Sequence, residues 1–326
     1  MHGEMVKAES GARAAGGVIF AFAAVALLIH LLTNGRYGYF RDELYFLACS
    51  RHLDWGYVDM APLSAWVLRL QTSLFGESLF SLRLLPAIAH ALVVALTGWL
   101  AREMGGRAWA VGLACTASLS ALVYLAIGNV YAMNVFEPLF WGGCAFLLVR
   151  IVNSSGSSGA MWLLFGLVAG LGFQNKHSFV FFGAATVLAL LFTPQRRELL
   201  RLPIWMGGGI ALAIALPNIV WQVQHGWPTL ELLRNVAESD KNVVLGPVQF
   251  VVQQVLIMNP ATLPLWLGGL LWLLVSRLGS RYRVIGLTYL FALAIFILMR
   301  GKHYYLAPIY PLLFAAGGVA WKQFTT

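Results

Sequence analysis

The sequence predicts an all-α polytopic membrane protein, a bundle of about ten transmembrane helices of roughly 20 residues each. Three observations carry this. Hydrophobic residues make up 60% of the 326 residues and charged residues only 11%, against roughly 25% charged in soluble domains; mean hydropathy is +0.75. The apolar runs are continuous rather than alternating, which excludes a membrane β-barrel. The bases are scattered between those runs and form no stripe, so the net charge of +9 is no sign of a nucleic-acid partner.

In chain order, the apolar runs predict spans at 15–33, 82–101, 108–128, 134–151, 161–174, 178–193, 204–222, 261–276, 284–299 and 304–321. The first run follows a polar stretch and has no small-residue cleavage site, so it reads as an uncleaved span rather than a signal peptide. Residues 34–66 are chemically unlike the rest. Asp42, Glu43, Asp54 and Asp59, four of the thirteen acids, fall there among Tyr37, Tyr39, Tyr45, Trp55 and Tyr57. Within it, 42–51 reads as a short helix. Residues 63–75 are amphipathic, too short and polar to span, and read as an interfacial helix with Trp66, Leu70 and Leu74 toward lipid or protein. Residues 246–259 read as a second interfacial helix, and 153–159 (NSSGSSG) as a flexible linker. No repeat and no separate soluble domain is visible. The chain reads as a single membrane domain, 1–326, with a first extracytoplasmic loop at 34–81 and a second large extracytoplasmic segment at 223–260.

Lysine and arginine orient the bundle. With the N-terminus cytoplasmic and the spans alternating, the inner side holds twelve bases and four acids, a balance of +8, and the outer side ten bases and nine acids, a balance of +1. The expected location is the inner (plasma) membrane of a bacterium, multi-pass, with the functional face extracytoplasmic. Cys49, Cys115 and Cys144 have no metal spacing, and their odd number argues against a disulfide framework.

The Asp42-Glu43 pair has a plain reading, since acids stabilise a helix's first turn. It also has a chemical one: a carboxylate held where the first span meets water can act as a general base toward a hydroxyl within hydrogen-bond reach. What tips the balance is the surrounding run RDELYFLACSRHLDWGYVDMAPL, with Asp42, Glu43 and Tyr45 followed by Gly56-Tyr57-Val58-Asp59-Met60-Ala61-Pro62-Leu63. This resembles the first-loop signature of the family 39 glycosyltransferases of the GT-C class. That group is related to dolichyl-phosphate-mannose protein mannosyltransferases and to bacterial lipid A and undecaprenyl-phosphate-sugar-dependent transferases. The likeness continues at 81–86 (SLRLLP), Glu137-Pro138, 170–176 and 304–311 (YYLAPIYP), and so covers nearly the whole chain.

The resemblance implies a GT-C-type helical bundle. It also implies a reaction: an inverting transfer of a sugar from a polyprenyl-phosphate donor to an acceptor lipid, glycan or protein on the extracytoplasmic face. It maps the family's base onto Asp42, with Glu43 supporting it. Glu137 stands where the family has Asp, one methylene longer, and is read as a second acid or substrate clamp; its plain reading is a cap on the fourth span. Asp59 and Pro62 lie in the family motif. Lys176, Lys302, His303, Tyr304 and Tyr305, with Arg41 beside Asp42, are the candidates for substrate and lipid-phosphate binding, because a leaving phosphate needs neutralising. The plain reading of that last group is snorkelling bases in an aromatic belt. Arg300 belongs to the same cluster. No metal is assigned, since nothing fixes a coordination geometry for a divalent ion, and no cofactor is required.

His30 and His90 read as packed helix residues, and Asn218, Gln222 and His225 as a polar helix end. Two alternatives differ in class. A transporter or lipid-carrier flippase needs ionisable groups at mid-membrane and paired halves, which the chain lacks. A truncated or non-catalytic paralogue is the other, because family members continue past this point whereas this chain stops five residues after Trp321.

Overall fold

The computed structural model describes residues 2–154, 158–238 and 245–324. The expected linker at 153–159 and the outer segment at 223–260 therefore fall partly outside the described residues. Fifteen α-helices and four 3-10 turns make up the described residues, with no strand among them. In order they are α1 (His2–Thr33), α2 (Arg41–Arg51), α3 (Leu63–Phe75), α4 (Leu79–Glu103), α5 (Ala108–Ser120), α6 (Leu122–Ile127), α7 (Met133–Asn153) and α8 (Gly159–Asn175), then α9 (Phe179–Leu191), α10 (Leu202–Gln224), α11 (Pro228–Glu238), α12 (Pro247–Ile257), α13 (Leu263–Val275), α14 (Arg283–Leu298) and α15 (Tyr310–Phe324).

Length and composition mark five segments as able to cross a membrane: Arg13–Thr33, Leu79–Glu103, Met133–Asn153, Leu202–Gln224 and Ser280–Leu298. The number rises to seven if two bent pairs each count as one span. Those pairs turn by 110° after α9 and by 95° between α12 and α13, at Pro194 and Pro260, where a proline opens a 3-10 turn. The chain is a multi-pass membrane protein. The expected count of about ten spans is not confirmed by length and composition among the described residues. The run 108–128 divides into α5 and α6 at Ala121, whose backbone is extended. The run 304–321 opens as a 3-10 turn, His303–Ile309, with Pro308 inside it, before α15 begins. A proline in a helix interior removes one backbone bond and clashes with the preceding turn.

The apolar windows of α1 and α10 are the least buried of the five, so both helices lie at the outside of the bundle. α15 is the opposite case, buried on every side from Tyr310 to Ala320. It packs against α13, α5 and α4. Its Gly317 and Gly318 lie so close to the carbonyls of Leu265 and Ala110 that any Cβ would collide with them. Small residues let membrane helices approach this closely, where packing rather than hydrophobicity drives association.

The first loop folds as its sequence reads. α2 begins one residue before the expected 42–51, and α3 coincides with 63–75. α3 buries Ser64, Ala65, Leu68, Gln71 and Thr72 and turns Leu70 and Leu74 outward. α12 leans on the turn before α15 through the amide of Gln254, which donates to the His303 carbonyl at 2.9 Å. The three cysteines are buried and free.

Candidate active site

Two buried carboxylates organise one end of the bundle. The first is Glu43, in the first turn of α2 and 0% exposed. Its Oε1 accepts from Arg83 Nε at 2.8 Å and from the Tyr131 amide at 3.2 Å. Its Oε2 accepts from Arg83 Nη2 at 2.8 Å and from the Phe40 amide at 2.8 Å. A carboxylate offers about four acceptor positions, and all are taken. Arg83 also donates to the carbonyls of Asn34 (2.7 Å), Tyr37 (3.2 Å) and Gly38 (2.8 Å). The pair thus ties the exit of α1, the start of α2, the opening of α4 and the turn before α7 into one knot. Asp42, the next side chain back, is different: it is 45% exposed, and its Oδ1 meets Arg41 Nε at 3.2 Å.

The second carboxylate is Glu137, in α7 and buried. Lys176 Nζ lies 2.7 Å from its Oε2, and Ser178 donates to its Oε1 at 2.5 Å. The Lys176 ammonium also stands 4.3 Å from the centre of the Tyr305 ring and 6.0 Å from that of Tyr304, so a π-face shares its charge with the carboxylate. Glu137 lines a small crevice of about 20 Å³ with Val123, Ile127, Asn134, Pro138, Tyr304, Ala307 and Pro308.

The two nodes are joined by the strip 131–137. Tyr131 takes its amide to Glu43 and donates its hydroxyl to the Ser64 carbonyl at 2.7 Å. The Met133 carbonyl accepts from Asn175 at 2.9 Å. Asp42 and Glu137 therefore sit at the same end of the molecule. Tyr45, one turn along α2 from Asp42, donates to Asp59 Oδ1 at 2.5 Å. Burial, then this hydrogen bond and the Asp59 charge, push the Tyr45 phenol well above its ordinary value; all three favour the neutral phenol.

Other expected site residues are placed differently. Arg41 and Lys302 stay exposed on the rim, and no partner of the Lys302 side chain is found among the described residues. His303 is half-buried, and burial lowers its imidazole from the ordinary value. Pro62 is buried at the N-cap of α3, where it starts the helix. Among the described residues no three His, Cys, Asp or Glu side chains gather closely enough to hold a metal ion. His30 and His90 pair with each other at 2.7 Å, buried.

Arg83, Ser178, Tyr131 and Asn134 were not singled out as site residues from the sequence. A signal existed for Arg83. It is the lone charge between 78 and 101, and a lone charge inside an apolar run requires a buried partner. Ser178 had none, because its meaning depends on a carboxylate 41 positions away.

The family model of dolichyl-phosphate-mannose-protein mannosyltransferase matches residues 59–221, half of the chain. The chain belongs to this family. Similar relatives are a lipid A galacturonosyltransferase, RgtD, of Rhizobium johnstonii, 30% identical over 205 residues, covering 61% of this chain and 41% of that one. An undecaprenyl phosphate-alpha-4-amino-4-deoxy-L-arabinose arabinosyl transferase of Aeromonas hydrophila is 29% identical over 145 residues, covering 42% of this chain and 25% of that one. Among solved structures, ArnT from Cupriavidus metallidurans bound to undecaprenyl phosphate superposes with a TM-score of 0.76 at 19% identity, over 94% of this chain and 60% of that one. The oligosaccharyltransferase of Archaeoglobus fulgidus gives 0.60 at 14% identity, over 94% of this chain and 49% of that one. Both share the GT-C fold with this family member. The chain spans less than two thirds of the length of each of these proteins.

Proposed function

We propose that this chain is the membrane domain of an inverting glycosyltransferase that moves a sugar from a polyprenyl-phosphate donor to an acceptor on the extracytoplasmic side of a bacterial inner membrane. The supporting observation is a division of labour at one end of the bundle. An accessible carboxylate, Asp42, stands on a helix pinned by Glu43 and Arg83. The same end carries a buried carboxylate, cation and tyrosine cluster that opens on a crevice.

In this reading Asp42 takes the proton of the acceptor hydroxyl as its oxygen attacks the anomeric carbon. The bond from that carbon to the phosphate oxygen breaks, and the lipid phosphate leaves as an anion. A single displacement of this kind inverts the anomeric centre. Lys302 on the rim and Lys176 at the crevice neutralise the departing charge, an effect worth most in a site that excludes water. Glu137, with Tyr304 and Tyr305, shapes the crevice that receives the donor, and Glu43 supports the base. Arg41, Tyr45, Asp59, Pro62 and His303 complete the substrate-binding surface. The acceptor class favoured by the relatives' names is a lipid A-like glycolipid. The charge bias of +8 against +1 supports a cytoplasmic N-terminus and an outward site.

The test uses proteoliposomes holding the chain and a labelled polyprenyl-phosphate sugar. Wild type is expected to transfer label to a glycolipid acceptor, and Asp42→Asn to lose at least about 100-fold of that rate. Label that crosses the bilayer unchanged, equally in both proteins, would replace the enzyme with a carrier.

A further inference from the structure

Residues 52–62, between α2 and α3, have no helix or strand, yet they are held from both sides. Within the loop, the Trp55 amide donates to Asp54 Oδ1 at 2.7 Å and the Trp66 indole donates to the Asp54 carbonyl at 3.0 Å. The Tyr57 hydroxyl lies 3.0 Å from the carbonyls of both Cys49 and His52. Behind the loop stands Asn218 of α10, which is 0% exposed. It donates from Nδ2 to the Trp55 carbonyl at 2.8 Å, and its Oδ1 lies 2.8 Å from Nε2 of His177, the residue next to Lys176. Gly56 presses its backbone so closely on the Trp221 ring and the Asn218 amide that any Cβ would collide with both.

What this frame presents outward is specific. The Trp55 ring is 46% exposed and meets the Trp66 ring edge to face, 4.5 Å between centres. Asp54, whose carboxylate accepts from the Trp55 amide, is exposed, as is Asp59 farther along the loop. An aromatic face takes the C–H face of a pyranose, and a carboxylate takes the hydroxyls around its edge. A tryptophan that only anchors a protein in the headgroup region needs neither a fixed backbone nor a carboxylate next to it. Rigid aromatic residues also lose little conformational freedom on binding.

We propose that Asp54, Trp55 and Trp66 form a carbohydrate subsite on which a sugar ring of the acceptor stacks, with Asn218 as the residue that positions it. The assignment to the acceptor rests on the glycosyltransferase reading above. It follows from continuity: Asp59 is bonded to Tyr45, and Tyr45 lies one helical turn from Asp42, the base that meets the acceptor hydroxyl. The Asn218 contact to His177 ties the platform to the residue next to Lys176, the cation paired with Glu137.

The test is binding measured apart from transfer. The chain in lipid nanodiscs is given a β-1,6-linked glucosamine disaccharide, and saturation-transfer NMR reads contacts to the sugar C–H protons. Wild type is expected to bind. Trp55→Ala is expected to weaken binding about three- to tenfold, the size of one aromatic contact, with Trp55→Phe restoring most of it and Asp54→Asn weakening it by less. In the transfer assay Trp55→Ala should raise the acceptor KM by more than it lowers kcat. No binding by wild type, equal binding by Trp55→Ala, or quenching of Trp55 by brominated lipid chains would each overturn the subsite. If transfer proceeds with the acceptor KM unmoved in Trp55→Ala, the subsite fails and the transferase stands. If the disaccharide binds through Trp55 and wild type transfers nothing, the subsite stands and the transferase fails.

Discussion

Glu43 with Arg83 and Glu137 with Lys176 are both buried ion pairs at the same end of one bundle, and they differ in what they leave free. The first pair spends every acceptor position on protein donors. In the second, Glu137 stands on the wall of a small crevice, and its cation leans on the Tyr305 ring. Burial of a charge alone is therefore a poor guide to chemistry. A charge with all its partners built in holds the fold, whereas one beside unfilled space is the one that the proposed reading gives to the substrate.

The largest expected effect separates the two pairs by stability. Arg83→Met leaves Glu43 buried without its cation, a defect that costs about 3–5 kcal/mol. Thermal unfolding in detergent should show it as a large drop in midpoint. Replacing both partners, Arg83→Met with Glu43→Leu, should recover much of the loss, because a well-packed apolar pair often matches a buried ion pair.

Glu137→Gln should act mainly on turnover. The amide keeps the shape and one acceptor, and the Tyr305 ring still faces the Lys176 charge. Transfer is expected to fall about 100-fold or more, with a midpoint shift well below that of Arg83→Met.

A third effect is on pH. Burial holds the His177 imidazole below its ordinary value of 6.5, against the opposing Asn218 hydrogen bond and Asp59 charge. The unfolded chain thus takes up this proton at higher pH than the folded protein does. Stability from this group is full above about pH 6.5 and falls as the pH drops from there to the folded value, below which the loss is constant. Unfolding midpoints measured from pH 7.5 to 5 should show a smaller acid-side decline in His177→Gln than in wild type. The smallest effect is expected for Tyr45→Phe, which removes one hydrogen bond to Asp59 in a half-exposed setting and should cost about 1 kcal/mol, read by the same unfolding assay.

Much of this was legible in the sequence. Continuous apolar runs and scarce charge specify the class. The amphipathic spacing of 63–75 places α3 at its observed bounds, and the Asp-Glu pair marks the start of α2. Pairings across the chain were not legible: Lys176 lies 39 positions from Glu137, and Arg83 lies 40 from Glu43. Nothing local distinguishes Asp42 from Glu43, adjacent acids with the same first-turn preference. Only the position of Arg83 and of the Tyr131 amide decides which of them is enclosed. Breaks inside two of the expected spans were hidden for a related reason. Ala121 and Pro308 interrupt runs whose hydropathy is unbroken, because hydropathy records solvent preference and not backbone direction.

The most direct test compares two neighbours in one preparation. Thermal midpoint and single-turnover sugar transfer would be measured for Asp42→Asn and Glu43→Gln side by side. The account predicts that Asp42→Asn keeps the wild-type midpoint and loses transfer, while Glu43→Gln lowers the midpoint sharply. Transfer retained by a folded Asp42→Asn protein would contradict it.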